Sequence, residues 1–425
     1  SLSPYYNLAR EFAISTNRSI FLTGKAGTGK TTFLHKLKKD TKKQIAIVAP
    51  TGVAAINAGG TTMHSFFQLP FTPFIPTTEG RKELIEKIKM QGFRRKVIQE
   101  LELLVIDEIS MVRADVLDAV DTILRHVRYK HNEAFGGVQV IFIGDMFQLS
   151  PVAQDEEWRI LSKFYKSPYF FHSQVIAQQQ PVYIELDKIF RQTNADFIQV
   201  LNEVRNNKLS QNGLALLQSR YNPLFVPPKD DTYITLTTHN YKADRINAEE
   251  IAKLKGKTYR FDAEIKGDFP EKSFPTEKQL ELKIGAKVMF IKNDTENPRR
   301  FFNGKIGMIE SIDDDIITIK CPDDDFVIEL GKMMWENIRY STNESTKQIE
   351  ENMLGTFVQY PLRLAWAITI HKSQGLTFDK AVIDAGDAFA PGQVYVALSR
   401  CRSLEGMVLW SKINPHSIEN DKQIV

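Results

Sequence analysis

The first half of the chain alternates short apolar runs with stretches of helical periodicity. Four runs are apolar almost throughout, as is typical of strands buried on both faces of a parallel sheet: SIFLTG (19–24), QIAIVAP (44–50), LELLVIDE (101–108) and VQVIFIGD (138–145). Between the last two, helical spacing predicts one apolar face of an amphipathic helix, formed by Val112, Val116, Val120, Ile123 and Val127. The alternation predicts a doubly wound α/β domain, which binds its ligands at the carboxyl ends of the strands.

The apolar pattern of the second half predicts another α/β series, interrupted by a different texture. PVYIELDKIF (181–190) predicts its first strand and TYITLTTHN (232–240) a later one, and LAWAITIH, KAVIDAG and GMVLWSKI complete the series. Between 257 and 356, short β runs alternate with glycine and acidic turns, which predicts a small antiparallel barrel or sheet.

These breaks predict three parts. We expect a first α/β domain at 1–178, a second α/β domain at 179–256 and 357–425, and a β insertion at 257–356. A segment rich in Phe and Pro at 65–96 predicts a further, short insertion on the first domain. A chain of 425 residues with 42% hydrophobic content is long enough to form several cores.

Composition and charge narrow the class of protein. The longest apolar runs are far shorter than the roughly 20 residues of a membrane-spanning helix, so we expect no membrane span. Two cysteines cannot build a disulfide framework or a multi-cysteine metal site, which agrees with a reducing compartment. The formal charge of +3 is too small to indicate a polyanionic partner, so any such site must come from local arrangement.

The stretch GKAGTGKT (24–31) fits the phosphate-loop pattern G-x-x-x-x-G-K-[ST], between a predicted strand and a predicted helix. Its glycines let backbone N–H groups surround phosphate oxygens, Lys30 reaches the terminal phosphates, and the Thr31 hydroxyl ligates Mg²⁺. The sequence therefore predicts ATP and Mg²⁺ as cofactors. The predicted nucleotide contacts here are Gly24, Lys25, Ala26, Gly27, Thr28, Gly29, Lys30, Thr31 and Thr32.

Two carboxylates and an amide follow the next predicted strands. We expect Asp107 of VIDE to hold Mg²⁺ through water and Glu108 to polarise the attacking water; the alternative is an acidic pair that only favours a helix N-terminus. Gln148 of GDMFQLSP is a candidate for orienting water or sensing the γ-phosphate, with a simple loop amide as the alternative. Together with Lys30, these residues predict hydrolysis of a nucleoside triphosphate.

Eight motifs stand in the order of those of superfamily-one helicases: GKAGTGKT, APTGVAA, TTMHSF, VIDEISM, GDMFQLSP, IFRQ, TIHKSQGLTF and YVALSRCRS. In particular, the chain resembles the 5′→3′ branch that holds RecD and the petite-integration-frequency (PIF) helicases. The stretch EISMVRADVLDAVDTILRHVR (108–128) resembles the signature segment of the PIF family. The resemblance covers essentially the whole chain.

The resemblance implies two RecA-like domains with ATP between them and a single nucleic-acid strand running across both. Arg191 and Arg400 would contact the γ-phosphate from the second domain, and Gln374 and Gly375 would line the same cleft. Most of the implied strand contacts are hydroxyl, amide and backbone donors, which bind phosphates without reading sequence. They are Thr51, Gly52, His64, Phe66, Thr238, Asn240, His371 and Lys372.

The resemblance also implies an SH3-like subdomain for 257–356 and a strand-separating wedge in the Phe-rich segment. For the wedge, exposed stacking rings and side chains packed on the core remain alternatives for Phe66, Phe67, Phe71 and Phe74. For RRFF (299–302) the alternatives are likewise a contact with nucleic acid or packing on the core. We expect Arg400 to couple ATP to DNA while contributing little to folding, and Arg402 to remain a surface charge.

We therefore expect an ATP-dependent 5′→3′ helicase or translocase on single-stranded DNA, which unwinds duplexes and has G-quadruplex DNA as a further candidate substrate. Its expected partners are single-stranded DNA and single-strand/duplex junctions, with no membrane, and the free protein is expected to be monomeric. The alternatives are an RNA helicase, a translocase that displaces proteins without unwinding, and a nucleotide-gated clamp. The expected compartment is the cytoplasm, on the nucleoid, for a prokaryotic source, and the nucleus or mitochondria for a trimmed eukaryotic core.

Overall fold

The computed structural model describes residues 4–24, 30–88, 90, 92–145, 151, 154–186, 195–205, 208–296, 298–385 and 393–413. By its contacts the chain divides into two compact units. The first unit comprises Ser1–Asp187, Ile265–Pro275 and Trp335–Phe357, and the second comprises Lys188–Glu264, Thr276–Met334 and Val358–Val425. None of the described helices is long and apolar enough to cross a membrane.

A parallel sheet forms the centre of the first unit. Its strands are β1 (Ile20–Thr23), β2 (Ile45–Ala49), β3 (Thr61–Thr62), β4 (Leu103–Ile106), β5 (Gln139–Ile143) and β6 (Val182–Glu185), in the order β3-β2-β4-β5-β1-β6. The four apolar runs predicted as parallel strands are confirmed as β1, β2, β4 and β5. Their buried side chains pack with α1 (Pro4–Ser15) and α2 (Lys30–Asp40) into one core.

The remaining helices of the first unit are described in chain order. They are α3 (Gly52–Ala58), α4 (Met63–Phe67), α5 (Thr78–Lys87), α6 (Gly92–Glu100), α7 (Ala114–Val127), α8 (Asp155–Leu161) and α9 (Gln174–Gln178). The predicted insertion at 65–96 contains most of α4 and α6 and all of α5.

The strand at 181–190 is predicted to begin the second α/β series, and this is wrong. Strand β6 pairs in parallel with β1, so it is the edge strand of the first sheet. An apolar run indicates a strand but carries no information about which sheet the strand joins.

Helix α7 is confirmed as an amphipathic helix, but its polar face is not exposed to solvent. The face opposite its apolar stripe is also covered, and the carboxylates of Asp115, Asp118 and Asp121 on that face are buried. Segments around α5 and α9 pack against this face. The acidic residues are tolerated there because they accept hydrogen bonds from those segments.

The strands of the second half are, in chain order, β7 (Ile234–Thr237), β8 (Tyr259–Asp262), β9 (Glu264–Gly267), β10 (Gln279–Leu282), β11 (Lys287–Phe290), β12 (Ile306–Asp313), β13 (Ile316–Lys320), β14 (Val327–Leu330), β15 (Met333–Thr342), β16 (Ile349–Gln359), β17 (Leu362–Leu364), β18 (Ala367–Thr369), β19 (Ala381–Asp384) and β20 (Met407–Leu409). Helices α10 (Ala195–Arg205), α11 (Gln211–Gln218), α12 (Asn240–Lys253) and α13 (Gln393–Leu398) accompany them. A second parallel sheet has the order β18-β7-β19-β20, which confirms a second α/β series.

The β-rich middle of the chain forms antiparallel sheets, as predicted. One has the order β14-β13-β12-β11-β17, and β10 pairs with β8. The region does not group as one body, however, because most of the sheet β15-β16-β9 belongs to the first unit. The domain boundaries predicted from the sequence therefore stay predictions.

The hairpin β15–β16 is attached to the first unit by specific polar contacts. The Tyr340 hydroxyl accepts a hydrogen bond from the Ile47 N–H at 2.9 Å, beyond the end of the short neighbouring strand β3. Lys38 of α2 forms an ion pair with Glu351 at 2.6 Å. The hairpin thus contacts α2, the helix that follows the phosphate loop, and β2, the next strand along the chain.

Candidate nucleotide and nucleic-acid sites

The predicted phosphate loop lies at the carboxyl end of β1. Gly24 directly follows this strand, and Lys30 is the first residue of α2, so the strand–loop–helix context is confirmed. Residues 25–29, which include Lys25, Ala26, Gly27, Thr28 and Gly29, lie outside the described residues, as do the side chain of Thr31 and the candidates Gln148 and Arg191. Lys30 and Thr32 are partly exposed at the start of the helix.

The carboxylate pair lies directly after β4. The backbone N–H of Asp107 donates to the Val48 carbonyl at 2.9 Å, and the N–H of Glu108 donates to Asp107 Oδ1 at 2.9 Å. Burial of the carboxylate, together with the neighbouring charge of Glu108, raises the pKa of Asp107 to about 7, and the charge of Lys30 opposes this shift. The charge of Lys30 thus acts on the carboxylate that follows β4.

Glu108 adopts a left-handed backbone conformation, with φ of 52° and ψ of 43°. A non-glycine residue in this region costs on the order of 1 kcal/mol, and such outliers concentrate at functional sites. The neighbouring strand limits the following turn, because a Cβ on Gly144 at the end of β5 would lie 2.9 Å from Ile109 Cγ2. The turn that carries the carboxylates is thus packed tightly against β5.

Candidate strand contacts of the first unit follow two neighbouring strands, β2 and β3. Thr51 is exposed and caps α3, accepting a hydrogen bond from the Ala54 N–H at 3.2 Å. Gly52 approaches Ser273 so closely that a Cβ would lie 2.2 Å from its hydroxyl oxygen. His64 follows β3 and is partly exposed.

The Phe-rich segment resolves into buried rings and one exposed ring. Phe66, Phe67 and Phe74 are buried, whereas Phe71 is 85% exposed and stacks on His64 with ring centroids 5.2 Å apart. The expectation that Phe66 contacts nucleic acid is therefore not supported, since its ring packs on Phe67 and on the first unit's Tyr340. Phe71 is the ring of this segment that remains available for stacking.

Asp115 of α7 holds the loop that carries Phe71. Its carboxylate accepts a hydrogen bond from the Phe74 N–H at 2.9 Å and is paired with Arg113. Arg113 in turn reaches Glu157 at 2.7 Å. Burial and the nearby Arg113 charge lower the pKa of His64, the stacking partner of Phe71.

Candidate strand contacts of the second unit also follow two neighbouring parallel strands. Thr238 and Asn240 follow β7, and His371 and Lys372 follow β18, with the last three exposed. The turn after β18 is closed by hydrogen bonds such as that from the Lys372 N–H to Thr369 Oγ1 at 3.1 Å. The same arrangement of residues after neighbouring strands thus occurs in each unit.

Sequence reasoning missed a pair of rings at the end of β7. The ring of Tyr241 is 63% exposed and lies 5.3 Å from that of His239, centroid to centroid. Exposed aromatic rings beside phosphate-binding groups are suited to base stacking. The signal in the sequence is an aromatic residue three positions after the predicted contact Thr238.

Arg400 is fully buried, which contradicts the expectation that it contributes little to folding. It lies just after α13, where its carbonyl accepts a hydrogen bond from the Phe378 N–H at 2.7 Å. Gln374 and Gly375 belong to the same stretch as Phe378, and Gly375 uses a φ of +80°. The segment that carries Gln374 and Gly375 is therefore hydrogen-bonded to the backbone of Arg400 through Phe378.

Arg402 is also more than a surface charge. Its guanidinium donates to Thr377 Oγ1 at 3.2 Å and to Asp379 Oδ1 at 3.1 Å, and lies 6.0 Å from the centroid of Phe302. Two other residues of the RRFF turn stabilise the fold: Phe301 lies in the core, and Arg300 forms an ion pair with Asp294 at 2.8 Å. Arg402 therefore links the segment that follows the predicted contacts Gln374 and Gly375 to the β-rich region of the second unit.

Comparison with known proteins gives consistent matches. The PIF1-like helicase family matches residues 5–213. An ATP-dependent DNA helicase Pif1 of a Psychrobacter species is 33% identical over 461 residues, covering 93% of this chain and 66% of the relative. The chain spans about three fifths to two thirds of the length of the curated relatives that it matches first.

Solved structures of similar proteins cover nearly the whole chain. A Bacteroides Pif1 in complex with ADP-AlF4 is 40% identical, with a TM-score of 0.84 over 100% of this chain and 95% of that chain. A Bacteroides Pif1 bound to single-stranded DNA is 40% identical with a TM-score of 0.58, covering 99% of this chain and 95% of that chain.

Proposed function

This chain belongs to the PIF1-like helicase family, and from this premise we propose that it couples ATP hydrolysis to 5′→3′ movement along single-stranded DNA and unwinds duplexes on the way. The observation that carries the proposal is the Asp107–Glu108 turn after β4. Its tight packing, left-handed backbone and raised Asp107 pKa, with Lys30 acting on that carboxylate, are the features of a site for chemistry. A solvated acidic pair at a helix start would need none of them.

Each residue of this site has a role that follows from its chemistry. Lys30 binds the terminal phosphates, and Glu108 polarises the attacking water. Thr31 and Asp107 are suited to hold Mg²⁺, because a hydroxyl and a carboxylate are ligands that this cation prefers. When bound, Mg²⁺ supplies neutralisation of the charge that develops on the phosphates. The residues present fit such a cation, since Asp107 is a partly buried carboxylate at the carboxyl end of a buried strand, and within the described residues the hydrogen bond that it accepts comes from its own neighbour Glu108.

The strand contacts proposed from the sequence gain support from their placement. In each unit they follow two adjacent parallel strands, where ligands bind in sheets of this kind. The exposed rings of Phe71 and Tyr241 add stacking groups that suit single strands. We propose DNA as the strand, since the matched relatives are named DNA helicases.

Further features of the proposal come from the family resemblance. We propose two RecA-like domains around the two parallel sheets, an SH3-like fold for part of the β-rich region, a monomeric free protein and Mg²⁺ dependence. Arg191 and Arg400 are proposed to contact the γ-phosphate, with Gln374 and Gly375 beside it. Each of these can be tested by an experiment of its own, apart from the measurement of strand separation.

Unwinding of tailed duplexes tests the proposal. With ATP and Mg²⁺, we expect strand separation of duplexes with a 5′ tail and none with a 3′ tail or a blunt end. Activity from 3′ tails alone would contradict the direction, and no ATP-dependent separation on any substrate would contradict the helicase. Stimulation of ATP turnover by DNA and RNA strands of matched sequence separates a DNA track from an RNA track.

Arg400 gives a second test. Replacing it with lysine keeps a positive charge in a fully buried site but loses the guanidinium fork, so the fold should survive better than with alanine. We expect Arg400→Lys to retain ATP binding and to lose about 10²- to 10³-fold in DNA-stimulated turnover. Turnover equal to that of the parent protein would remove Arg400 from the nucleotide site.

A further inference from the structure

Two arginines share one aromatic ring where α6 meets β15 in the first unit. The guanidinium carbon of Arg94 lies 5.7 Å from the ring centroid of Phe93, and that of Arg339 lies 5.1 Å from the same centroid. Arg94 also donates a hydrogen bond to the Ser65 carbonyl. The ring and the carbonyl therefore restrict the orientation of these long side chains before any ligand arrives.

The charges of this cluster are not balanced locally. Within the described residues, neither Arg94 nor Arg339 forms an ion pair with a carboxylate. Burial lowers the pKa of Arg94, and the positive charge of Arg339 lowers it further. Two guanidinium groups held close together without a counter-charge repel one another, and a bound anion removes that repulsion.

The position of the cluster indicates which anion is relevant. Ser65, whose carbonyl binds Arg94, follows His64, a predicted strand contact. Tyr340, the neighbour of Arg339, packs its ring on Phe66 at 5.8 Å. The cluster thus borders the segment proposed to contact DNA, and guanidinium N–H edges match the oxygens of a phosphate.

We propose that Arg94 and Arg339, held by Phe93, form a binding site for a backbone phosphate of nucleic acid. The site lies outside the residues assigned to strand contact above, and it rests on the proposed function in so far as DNA is the ligand. A phosphate contact of this kind is independent of base sequence and fixes the position of the bound strand. Both a single strand and a duplex arm offer the same phosphodiester chemistry.

Direct binding of DNA to the full chain tests the site. Arg339→Gln removes one exposed charge, and Lys347→Gln on the turn of the same hairpin is the matched control, since Lys347 is also exposed. Fluorescence anisotropy is measured without nucleotide on a single strand, a blunt duplex and a 5′-tailed fork, each over a salt series. Thermal unfolding of both variants checks that the fold is kept.

We expect Arg339→Gln to weaken binding about tenfold, the size of one charge-assisted hydrogen bond, on at least one of the three DNAs. The slope of log affinity against log salt should become shallower by about 0.7 if a single strand is the ligand and by about 0.9 if a duplex is. Arg339→Lys should recover the slope but only part of the affinity, because the charge is kept and the fork is lost.

Two results overturn the site: affinity and slope equal to those of the parent on all three DNAs, or an equal loss in Lys347→Gln, which would indicate bulk charge. The binding assay needs no ATP, so its result distinguishes failure of the phosphate site from failure of the proposed helicase function. A parent protein that binds DNA without hydrolysing ATP removes the proposed function and leaves this site testable. An unchanged Arg339→Gln beside an unwinding parent removes only the site.

Discussion

Two sets of carboxylates lie on one short segment of the first unit and differ in their hydrogen-bond donors. One set is bonded within its own turn, and the other is bonded by segments far along the chain. Asp107 and Glu108 sit on a turn with left-handed backbone, and their hydrogen bond runs between the two neighbours. Asp118, only eleven positions beyond Asp107, accepts from the Gln174 N–H at 3.0 Å, the Val175 N–H at 2.9 Å and the Tyr165 hydroxyl at 2.5 Å. Burial raises the pKa of Asp107 and of Asp118 alike.

The difference shows that burial alone does not give a carboxylate its role. The oxygens of Asp118 are occupied by donors from other segments, so the hydrogen bonds that it accepts contribute to the fold. The carboxylate of Asp107 is partly buried at the end of a strand, and within the described residues it accepts a hydrogen bond from its own neighbour Glu108, an arrangement that costs stability and leaves oxygens for a ligand. The same chemical group thus serves chemistry in one place and structure in the other.

The largest effect is expected from Asp107→Asn, which keeps the shape and removes the charge. ATP turnover should fall about 10³-fold, because the proposed cation ligand is lost. The thermal midpoint of the free protein should be unchanged or higher at neutral pH, since folding raises the pKa of this carboxyl group to about 7 and the fold therefore loses stability progressively as the pH rises from about 4 to about 7. Parallel turnover and unfolding measurements check this, and a large drop in the midpoint would place Asp107 with Asp118.

The matched substitution Asp118→Asn should have the opposite pattern. Its new NH₂ group faces N–H donors from the segment at α9, and one unmet buried donor costs about 1–3 kcal/mol. The thermal midpoint should fall by several degrees, about 2–4 °C for each kcal/mol in a unit of this size. Turnover per folded molecule at low temperature should stay within about twofold of the parent. A variant that is stable and inactive would contradict the structural role.

A smaller and more selective effect is expected from Asp115→Asn. It weakens the pairing with Arg113 and the anchor of the Phe74 N–H, so the loop with Phe71 should lose its fixed position. Duplex unwinding should fall about tenfold, the value of one charge-assisted hydrogen bond, while turnover stimulated by single-stranded DNA changes little. Equal loss of both activities would mean that the loop does not act in strand separation.

Where local pattern decides the structure, the sequence predicts much of the fold and of the candidate site. The buried strands β1, β2, β4 and β5 follow from their apolar runs, and the helix at α7 follows from its periodicity. The phosphate-loop context and the carboxylates after β4 follow from motif and spacing. What the sequence could not give is the surroundings of α7, because the segments that bury Asp118 come from 165 and 174–175, far along the chain.

The same limit explains the other differences. Strand β6 is apolar like its neighbours, and only long-range pairing with β1 assigns it to the first sheet. Arg400 resembles a charge at the end of a surface helix in the sequence, yet its side chain is fully buried. The hairpin β15–β16 is β-rich like the rest of its region, yet Tyr340 attaches it to the first unit. Contacts between distant segments leave little trace in a local pattern.

The most direct measurement is ATP turnover by Glu108→Gln in the presence of saturating single-stranded DNA, with binding of a fluorescent ATP analogue recorded on the same sample. Removal of a general base commonly costs about 10²- to 10⁴-fold. We predict a loss of turnover in this range, with nucleotide binding and the thermal midpoint retained. Turnover within about twofold of the parent protein would contradict it, because the turn after β4 would then not be the site of hydrolysis.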